Sequence, residues 1–244
     1  MRGWPEGYGR RVLDEVDSTM DEAARRGPEL AGPEWIMARR QTKGRGRRGR
    51  HWRDPKGNFA ATLVMRPGEG AEVVALRSFV AALALYDAVA AARGRTEGLA
   101  LKWPNDVLLN GGKLAGILLE SAGTAAGLSH FAIGIGVNLA EVPERVEEGA
   151  VPPASLAGTG VTQDEFLDLL AGAYADWEAR FVTYGFAPVR EAWLARAARL
   201  GEVITARTTR EEIVGTFETV DEQGNLVLST PGGRRAIAAA EVFF

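Results

Sequence analysis

The segment between residues 99 and 139 constrains the fold most, because it places several predicted strands close together along the chain. Pro104 separates the first two, and residues 110–112 (Asn-Gly-Gly) form a tight turn of the kind that joins the strands of a β-hairpin. Strands linked by such short connections pair with their neighbours in antiparallel fashion, and we expect that pairing here. The predicted strands are Leu99–Trp103, Val107–Leu109, Leu114–Glu120 and Phe131–Leu139.

Helices and further strands are predicted in the rest of residues 1–199. Ser18 can cap a helix, with Asp21 three residues later, and Thr162 with Glu165 forms a capping box at the start of another. The pattern favours an α+β domain with a mixed, largely antiparallel sheet flanked by helices. The predicted helices run from Thr19 to Gly27, over Glu72–Arg93, onward from Thr162, and over Phe186–Arg199. The predicted strands are Arg11–Val16, Trp35–Arg39 and Asn58–Arg66.

The chain changes character at Leu200, where short strands separated by turns replace the helices. This is the pattern of a small β-barrel. We therefore predict a domain over residues 1–199 and a small C-terminal barrel over residues 200–244. The predicted barrel strands are Glu202–Thr208, Ile213–Val220, Asn225–Ser229 and Arg234–Ala239.

Composition excludes several kinds of site and favours the cytosol. The 244 residues include no Cys, which excludes disulfides, thiolate zinc sites and a Cys nucleophile. Only two His occur, so a His-rich metal site is not expected. No secretory signal is visible at the N-terminus. The apolar stretch around Phe79–Ala92 is interrupted by Asp87 and is too short to span a bilayer, so we expect no membrane partner.

The basic loop, residues 39–53 (RRQTKGRGRRGRHWR), concentrates eight Lys or Arg in a chain of formal charge −3. Without those eight the charge would be −11, so the chain collects cations in one glycine-rich place. Glycine lets backbone N–H groups approach an anion, and Arg offers paired donors to phosphate or carboxylate. A solvated charge run is the alternative, and nucleic-acid binding is another, although a pI near 5.6 argues against the latter.

Common nucleotide-binding signatures are missing. Residues 111–114 (GGKL) lack the spacing and the hydroxyl of a P-loop, and residues 134–136 (GIG) do not open a dinucleotide-binding turn. Two positions further along are informative by themselves. Gly116 lies inside a predicted strand, which often marks the close approach of a ligand. Asp106 is either a turn residue or a magnesium ligand.

Taken together, these clusters resemble the biotin–protein ligases, the biotin–[acetyl-CoA-carboxylase] ligase family. The resemblance covers residues 17–140 in order and spacing, and the small β tail also fits. It implies a catalytic domain of the class II synthetase/biotin ligase type and an SH3-like C-terminal barrel. The matching segments are residues 17–19 (DST), Gln41 with residues 44–50 (GRGRRGR) and Trp52, residues 102–106 (KWPND), residues 113–118 (KLAGIL) and residues 134–138.

The resemblance implies a two-step reaction. Biotin and ATP give biotinyl-5′-AMP, and a lysine of a biotin carboxyl carrier domain then takes the biotin. Lys113 and Arg48 would be catalytic, Asp106 would be a weak magnesium ligand, and magnesium would come with ATP. The biotin-binding residues would be Ser18, Thr19, Gln41, Arg45, Gly46, Arg47, Lys113 and Gly116. The ATP-binding residues would be Arg48, Arg50, Trp52, Lys102, Asn105 and Asn138.

The resemblance also implies a set of partners, and the chain departs from the family pattern at two positions. We expect a homodimer and a carrier protein of acetyl-CoA carboxylase as acceptor, and no nucleic-acid partner, because only sixteen residues precede Asp17. Met20 stands where the family often has Asn, and Ala240 stands where it commonly has Gly. A lipoate or octanoyl attachment enzyme on a similar scaffold is the alternative within enzymes. Since like charges repel, we also expect the basic loop to be disordered without ligand.

Overall fold

The structure is a computed structural model, and it describes residues 3–52, 55–124, 127–142 and 151–244. Within them the first sheet has seven strands in the order β1-β2-β3-β7-β6-β5-β4. Only β1 and β2 pair in parallel, and the other pairs are antiparallel. The strands are β1 (Gly9–Leu13), β2 (Glu34–Ala38), β3 (Phe59–Met65), β4 (Leu99–Lys102), β5 (Asp106–Leu109), β6 (Gly112–Thr124) and β7 (Gly127–Val137).

The hairpin-linked strands of residues 99–139 pair as predicted. Asn110 and Gly111 both have positive φ, which the tight turn between β5 and β6 requires. The expected α+β architecture, with a mixed and largely antiparallel sheet, is therefore confirmed.

Helices cover both faces of this sheet. On one face α1 packs against β2, β3 and β7 over a small cluster that includes Met20, Ile36 and Val64. On the other face α3 and α4 pack over the main core, where Trp35 and Tyr174 meet edge to face. The helices are α1 (Thr19–Arg26), α2 (Ala71–Ala75), α3 (Arg77–Arg93), α4 (Gln163–Tyr184) and α5 (Phe186–Leu194).

Both predicted helix starts are present. Ser18 caps α1 by accepting a hydrogen bond from the Met20 N–H, and Thr162 and Glu165 form a capping box on α4. Two helix predictions were too long. The stretch predicted over Glu72–Arg93 is divided at Leu76, and α5 ends at Leu194 rather than at Arg199, whose φ is positive.

The apolar stretch of residues 71–93 is longer than the sequence indicated. By length and composition alone it could cross a membrane, but most of it is buried inside the protein, as in the core helix of a globular fold.

The second sheet has five antiparallel strands in the order β11-β10-β9-β8-β12. The sequence predicts four of these strands. The fifth, β12, was not predicted, and it pairs with β8. A strand of three residues has too little periodicity to be recognised in sequence. The strands are β8 (Val203–Arg207), β9 (Glu212–Val220), β10 (Leu226–Thr230), β11 (Gly233–Ile237) and β12 (Glu241–Phe243).

Candidate active site

A cavity of about 540 Å³ opens where the basic loop crosses the sheet. Its walls come from the start of α1, the basic loop, the β4–β5 turn, β6, β7 and the last strand of the second sheet. Every site residue predicted from sequence lies on its wall: Ser18, Thr19, Gln41, Arg45, Gly46, Arg47, Arg48, Arg50, Trp52, Lys102, Asn105, Asp106, Lys113, Gly116 and Asn138. Arg53, the last cation of the basic loop, lies outside the described residues.

One end of the cavity is polar and buried. The N–H and Oγ1 of Thr19 both donate to Gln41 Oε1, at 2.9 and 3.1 Å, and Thr62 Oγ1 donates to Thr19 Oγ1 at 2.8 Å. Ser18 and Thr19 are almost fully buried, so these hydroxyls are fixed in place before any ligand enters. Such a set can both donate to and accept from a ligand that carries an amide-like group.

The basic loop folds back on itself as a small hairpin. The Trp52 N–H donates to Gly44 O at 2.9 Å, and the Gly46 N–H donates to Arg50 O at 2.7 Å. Arg48 at its tip has a φ of 57°, the left-handed region that side chains other than glycine rarely occupy. Several of its cations are paired with carboxylates, which offsets the repulsion between them, and the expected disorder of the loop without ligand stays a prediction.

The Trp52 indole lies against two glycines of the sheet. A Cβ placed on Gly136 would come within 2.5 Å of Trp52 Cε2, and one on Gly116 within 3.4 Å of its Cζ3. The ring therefore needs β7 to carry no side chain at position 136, whereas a Cβ at position 116 would make an ordinary van der Waals contact with it. Gly134 likewise leaves room for the Met20 side chain, since a Cβ on Gly134 would lie 2.7 Å from the Met20 Sδ.

The cations of the basic loop differ in how they are paired. Arg50 donates to both carboxylate oxygens of Glu241 at 2.5 and 3.0 Å, and this contact lowers the pKa of Glu241. Arg45 is paired with Glu120 and Asp21. Among the described residues the Arg47 side chain makes one long hydrogen bond, at 3.4 Å to Asn105 Oδ1, and burial lowers its pKa. Arg47 is thus a desolvated cation facing the cavity, which favours binding of an anion.

Two lysines stand opposite the basic loop. Lys113 Nζ lies 2.7 Å from Asp106 Oδ1, so Asp106 has a cationic partner in this structure. Lys102 is buried, its ammonium lies 5.1 Å from the centre of the Phe244 ring, and burial lowers its pKa. Among the described residues no group of three or more His, Asp or Glu could hold a metal ion.

Asn138 connects β7 to the segment that closes the far side of the cavity. Its Nδ2 donates to Ala154 O at 2.9 Å, while the Lys113 N–H donates to Pro152 O at 2.7 Å. The Asn138 side-chain amide and the Lys113 backbone N–H therefore hold residues 152–154 against the end of β7 and the start of β6.

Comparison with known proteins gives this site its family. The model of the biotin/lipoate A/B protein ligase family matches residues 11–138, and that of the biotin protein ligase C terminal domain matches residues 200–244. A biotin–[acetyl-CoA-carboxylase] ligase of Paracoccus denitrificans is 59% identical over 238 residues, which cover 96% of this chain and 99% of that protein. The chain belongs to the biotin/lipoate A/B protein ligase family.

Solved structures of other ligases in this family share the whole fold. The biotin protein ligase from Aquifex aeolicus in complex with biotin and ATP superposes with a TM-score of 0.81, at 26% identity, over 96% of this chain and 97% of that one. The biotin protein ligase from Leishmania major in complex with biotinyl-5-AMP gives a TM-score of 0.63 at 25% identity, over 95% and 99% of the two chains. The resemblance inferred from motifs is thus confirmed.

Several residues on the wall of this ligase cavity were not predicted as site residues. Glu241, which follows Ala240 in the tail, was given no role, and Gly136 entered only within the matching segment 134–138 and the rejected dinucleotide-binding turn. A strand interior with Gly at positions 134 and 136 was the available signal, because glycine there marks a close approach. Nothing local to residue 241 indicates that it meets the basic loop, 191 residues earlier in the chain.

Proposed function

We propose that the protein activates biotin with ATP to biotinyl-5′-AMP and transfers the biotin to a lysine of a biotin carboxyl carrier domain. The observation that carries this proposal is one cavity with a preformed polar end and a cationic end. Ser18, Thr19 and Gln41 define the first, and Arg47 and Lys113 belong to the second. The similarity to the Paracoccus ligase supports the same activity.

The chemistry requires two anions to meet. A biotin carboxylate oxygen attacks the α-phosphorus of ATP, and the bond from that phosphorus to the bridging oxygen breaks to release pyrophosphate. The neutral amine of the carrier lysine then attacks the acyl carbon of the mixed anhydride, loses its proton and expels AMP. Fixed cations offset the repulsion in the first step and stabilise the charge that builds up on the phosphate.

The residues divide between the two substrates. Ser18, Thr19 and Gln41 would hold the ring system of biotin, and Arg47, with Arg45 and Gly46, would close over it beside Gly116. Lys113 would bridge the biotin carboxylate and the α-phosphate. It would leave Asp106 or share it with the ligand, because its ammonium carries more than one N–H. The nucleotide would meet Arg48, Arg50, Trp52, Lys102, Asn105 and Asn138.

Magnesium would enter with ATP and neutralise phosphate charge, and Asp106 is the one predicted site residue of the described chain that offers it a carboxylate. Since that carboxylate already contacts Lys113, we propose that the ion is held mainly by the phosphates. A carrier protein of acetyl-CoA carboxylase as acceptor, a homodimer and a cytoplasmic location complete the proposal. The homodimer can be checked by sedimentation.

The main alternative is attachment of lipoate or octanoate, which the family model also includes. The match of residues 200–244 to the biotin protein ligase C terminal domain supports biotin instead. Nucleic-acid binding through the basic loop has less support, because Arg45 and Arg50 are already paired with carboxylates.

Pyrophosphate release tests the proposal directly. Folded protein given ATP and biotin should release pyrophosphate, and the same protein given ATP with lipoate or octanoate should release little. Adding an apo biotin carrier domain should then raise the mass of the carrier by one biotin. Absence of biotin-dependent pyrophosphate from folded protein would rule the ligase out, and preference for lipoate would favour the alternative.

A further inference from the structure

The guanidinium of Arg45 is already occupied. Its Nε donates to Glu120 Oε1 at 3.0 Å and its Nη2 to Glu120 Oε2 at 2.8 Å, which is the paired geometry that matches Arg to a carboxylate. Its Nη1 donates to Asp21 Oδ1 at 2.6 Å. These contacts raise the pKa of Arg45 further above its ordinary value, with the Glu120 hydrogen bond as the largest cause. Three of its five N–H groups are thus engaged by carboxylates, which leaves one on each of the two Nη atoms.

The three residues come from three elements that build the cavity. Asp21 lies in the first turn of α1, just after Ser18 and Thr19. Glu120 lies on β6, the strand that also carries Lys113 and Gly116. Arg45 belongs to the basic loop. The contact therefore fixes the loop to both walls of the polar end of the cavity.

The contact also closes the loop behind Trp52. Arg45 and His51 form a bridge across the hairpin, and Trp52 N–H donates to Gly44 O, so the position of Arg45 sets that of the indole. The indole in turn lies on Gly116 and Gly136. Any movement of Arg45 away from Glu120 would lift the hairpin from the sheet.

We propose that Glu120 and Asp21 are positioning residues that act through Arg45, holding the basic loop closed over biotin and over the adenylate formed from it. The proposal rests on the proposed function, because it names the ligand that the closed loop retains. It gives the Arg45 guanidinium a role in holding the loop over biotin, and Arg47 is the loop arginine that meets the ligand anion.

The expected size of the effect on biotin binding follows from the solvent exposure of the three side chains. The side chains of Arg45, Asp21 and Glu120 are 27%, 40% and 42% exposed, so solvent screens the contact. Because Glu120 binds in paired fashion and Asp21 adds a third bond, we expect the network to exceed a simple surface pair. Loss of Glu120 should raise the biotin dissociation constant roughly fivefold.

Hydrogen exchange on the ligand-free protein tests the loop itself. Glu120→Gln and Asp21→Asn should speed exchange of the amides of Lys43, Gly46 and Trp52, which the structure shows hydrogen-bonded. Glu22→Gln is the matched control, because Glu22 is on the same helix and pairs with Arg25 at 2.8 Å instead of with the loop. Exchange unchanged in both test variants would overturn the proposal.

A double-variant cycle separates positioning from direct contact. If Arg45 acts only through Glu120 and Asp21, then Arg45→Ala and the double variant should raise the biotin dissociation constant by the same factor, and Glu120→Ala by a similar or smaller one. The rate of adenylate formation at saturating biotin should change less. If Arg45 contacts biotin directly, Arg45→Ala should weaken binding while Glu120→Ala leaves it unchanged or tightens it, and that result would contradict the proposal.

Exchanging the two charges provides the rescue. Arg45→Glu with Glu120→Arg should restore part of the amide protection that either single change removes, and no recovery would count against the pair. Equal thermal midpoints across the variants show that the fold is retained. Should the wild-type protein bind no biotin, the proposed function fails, while hydrogen exchange still decides whether Glu120 and Asp21 hold the loop.

Discussion

At the scale of single residues, the cavity separates cations by what they already contact. Arg45 and Arg50 are paired with carboxylates from elsewhere in the chain, whereas Arg47 is partly desolvated with one long hydrogen bond. Sequence motifs identified all three arginines as site residues without distinguishing them, because a motif reports only residue type and spacing. Which arginine faces the ligand depends on where Glu120 and Glu241 lie.

Lys113→Ala should reduce adenylate formation by a factor of about 10²–10³, the usual loss when one fixed donor to a developing charge is removed. Single-turnover formation of biotinyl-5′-AMP measures this. The change also leaves Asp106 without its cation, so Lys113→Ala with Asp106→Asn is the control for that charge. Wild-type turnover in the folded Lys113→Ala protein would remove Lys113 from the mechanism.

Lys102 should make ATP binding sensitive to alkaline pH. Burial lowers the pKa of Lys102 below its ordinary 10.5, so the ammonium is present at low pH and is lost as pH rises through the lowered value. ATP affinity should therefore fall before pH 10.5 is reached. By the same linkage the unfolded chain binds the proton more tightly, so the Lys102 contribution to stability rises with pH over this window.

Lys102→Arg is the matched variant, because a guanidinium stays charged throughout that range. Titration calorimetry with ATP at increasing pH should show the alkaline loss in the wild type and little of it in Lys102→Arg. Equal pH profiles for the two proteins would mean that another group is responsible.

At the scale of elements, local sequence signals predicted turns and helix starts well, whereas pairing between distant segments was not visible in the sequence. The Asn-Gly-Gly turn, the Ser18 cap and the Thr162 capping box act within a few residues, so each was visible in sequence. The break at Leu76 and the short strand Glu241–Phe243 were missed. The short strand depends on its pairing with β8, an earlier segment of the chain.

Gly136→Ala tests the contact between β7 and Trp52. The new methyl group would overlap the indole, since the Cβ position is 2.5 Å from Trp52 Cε2, and overpacking of this kind costs about 1–3 kcal/mol of unfolding free energy. Urea denaturation measures the loss. It should be much smaller in a Trp52→Ala background, where the ring is gone.

Gly172→Ala is the control for a glycine without such a contact. It lies inside α4, and no atom from elsewhere in the described chain comes within 4 Å of its Cβ position. Alanine there should stabilise the protein by about 0.5–1 kcal/mol. An equal loss for both substitutions would mean that Trp52 does not rest on Gly136.

At the scale of the whole molecule, one apolar core joins the two sheets. The main core cluster runs from Trp35 and Phe59 to Phe217 and Leu228 without a division. Phe79 lies at the junction, touching Phe186 and Trp193 and lying close to Gly224 in the turn between β9 and β10. The apolar core therefore continues across the predicted boundary between residues 1–199 and residues 200–244.

We expect the chain to unfold in a single transition for that reason. Phe79→Ala should lower the unfolding free energy by about 3–5 kcal/mol and shift the entire transition. Val182→Ala, at a side chain that is 66% exposed, should change it by less than about 0.5 kcal/mol. Differential scanning calorimetry measures the number of unfolding transitions, and two separate transitions in the wild type would show independent domains.

The sequence by itself determined the family, the hairpins and caps, and the predicted site residues that line the cavity, because those features are local patterns of residue type and spacing. Only the tertiary structure decided that Glu120, Asp21 and Glu241 pair with the arginines of the basic loop, and that Trp52 rests on Gly116 and Gly136. The physical reason is distance along the chain. A carboxylate far from residue 45 in sequence leaves no local signal of its partner, and only folding of the sheet and helices brings the two charges together.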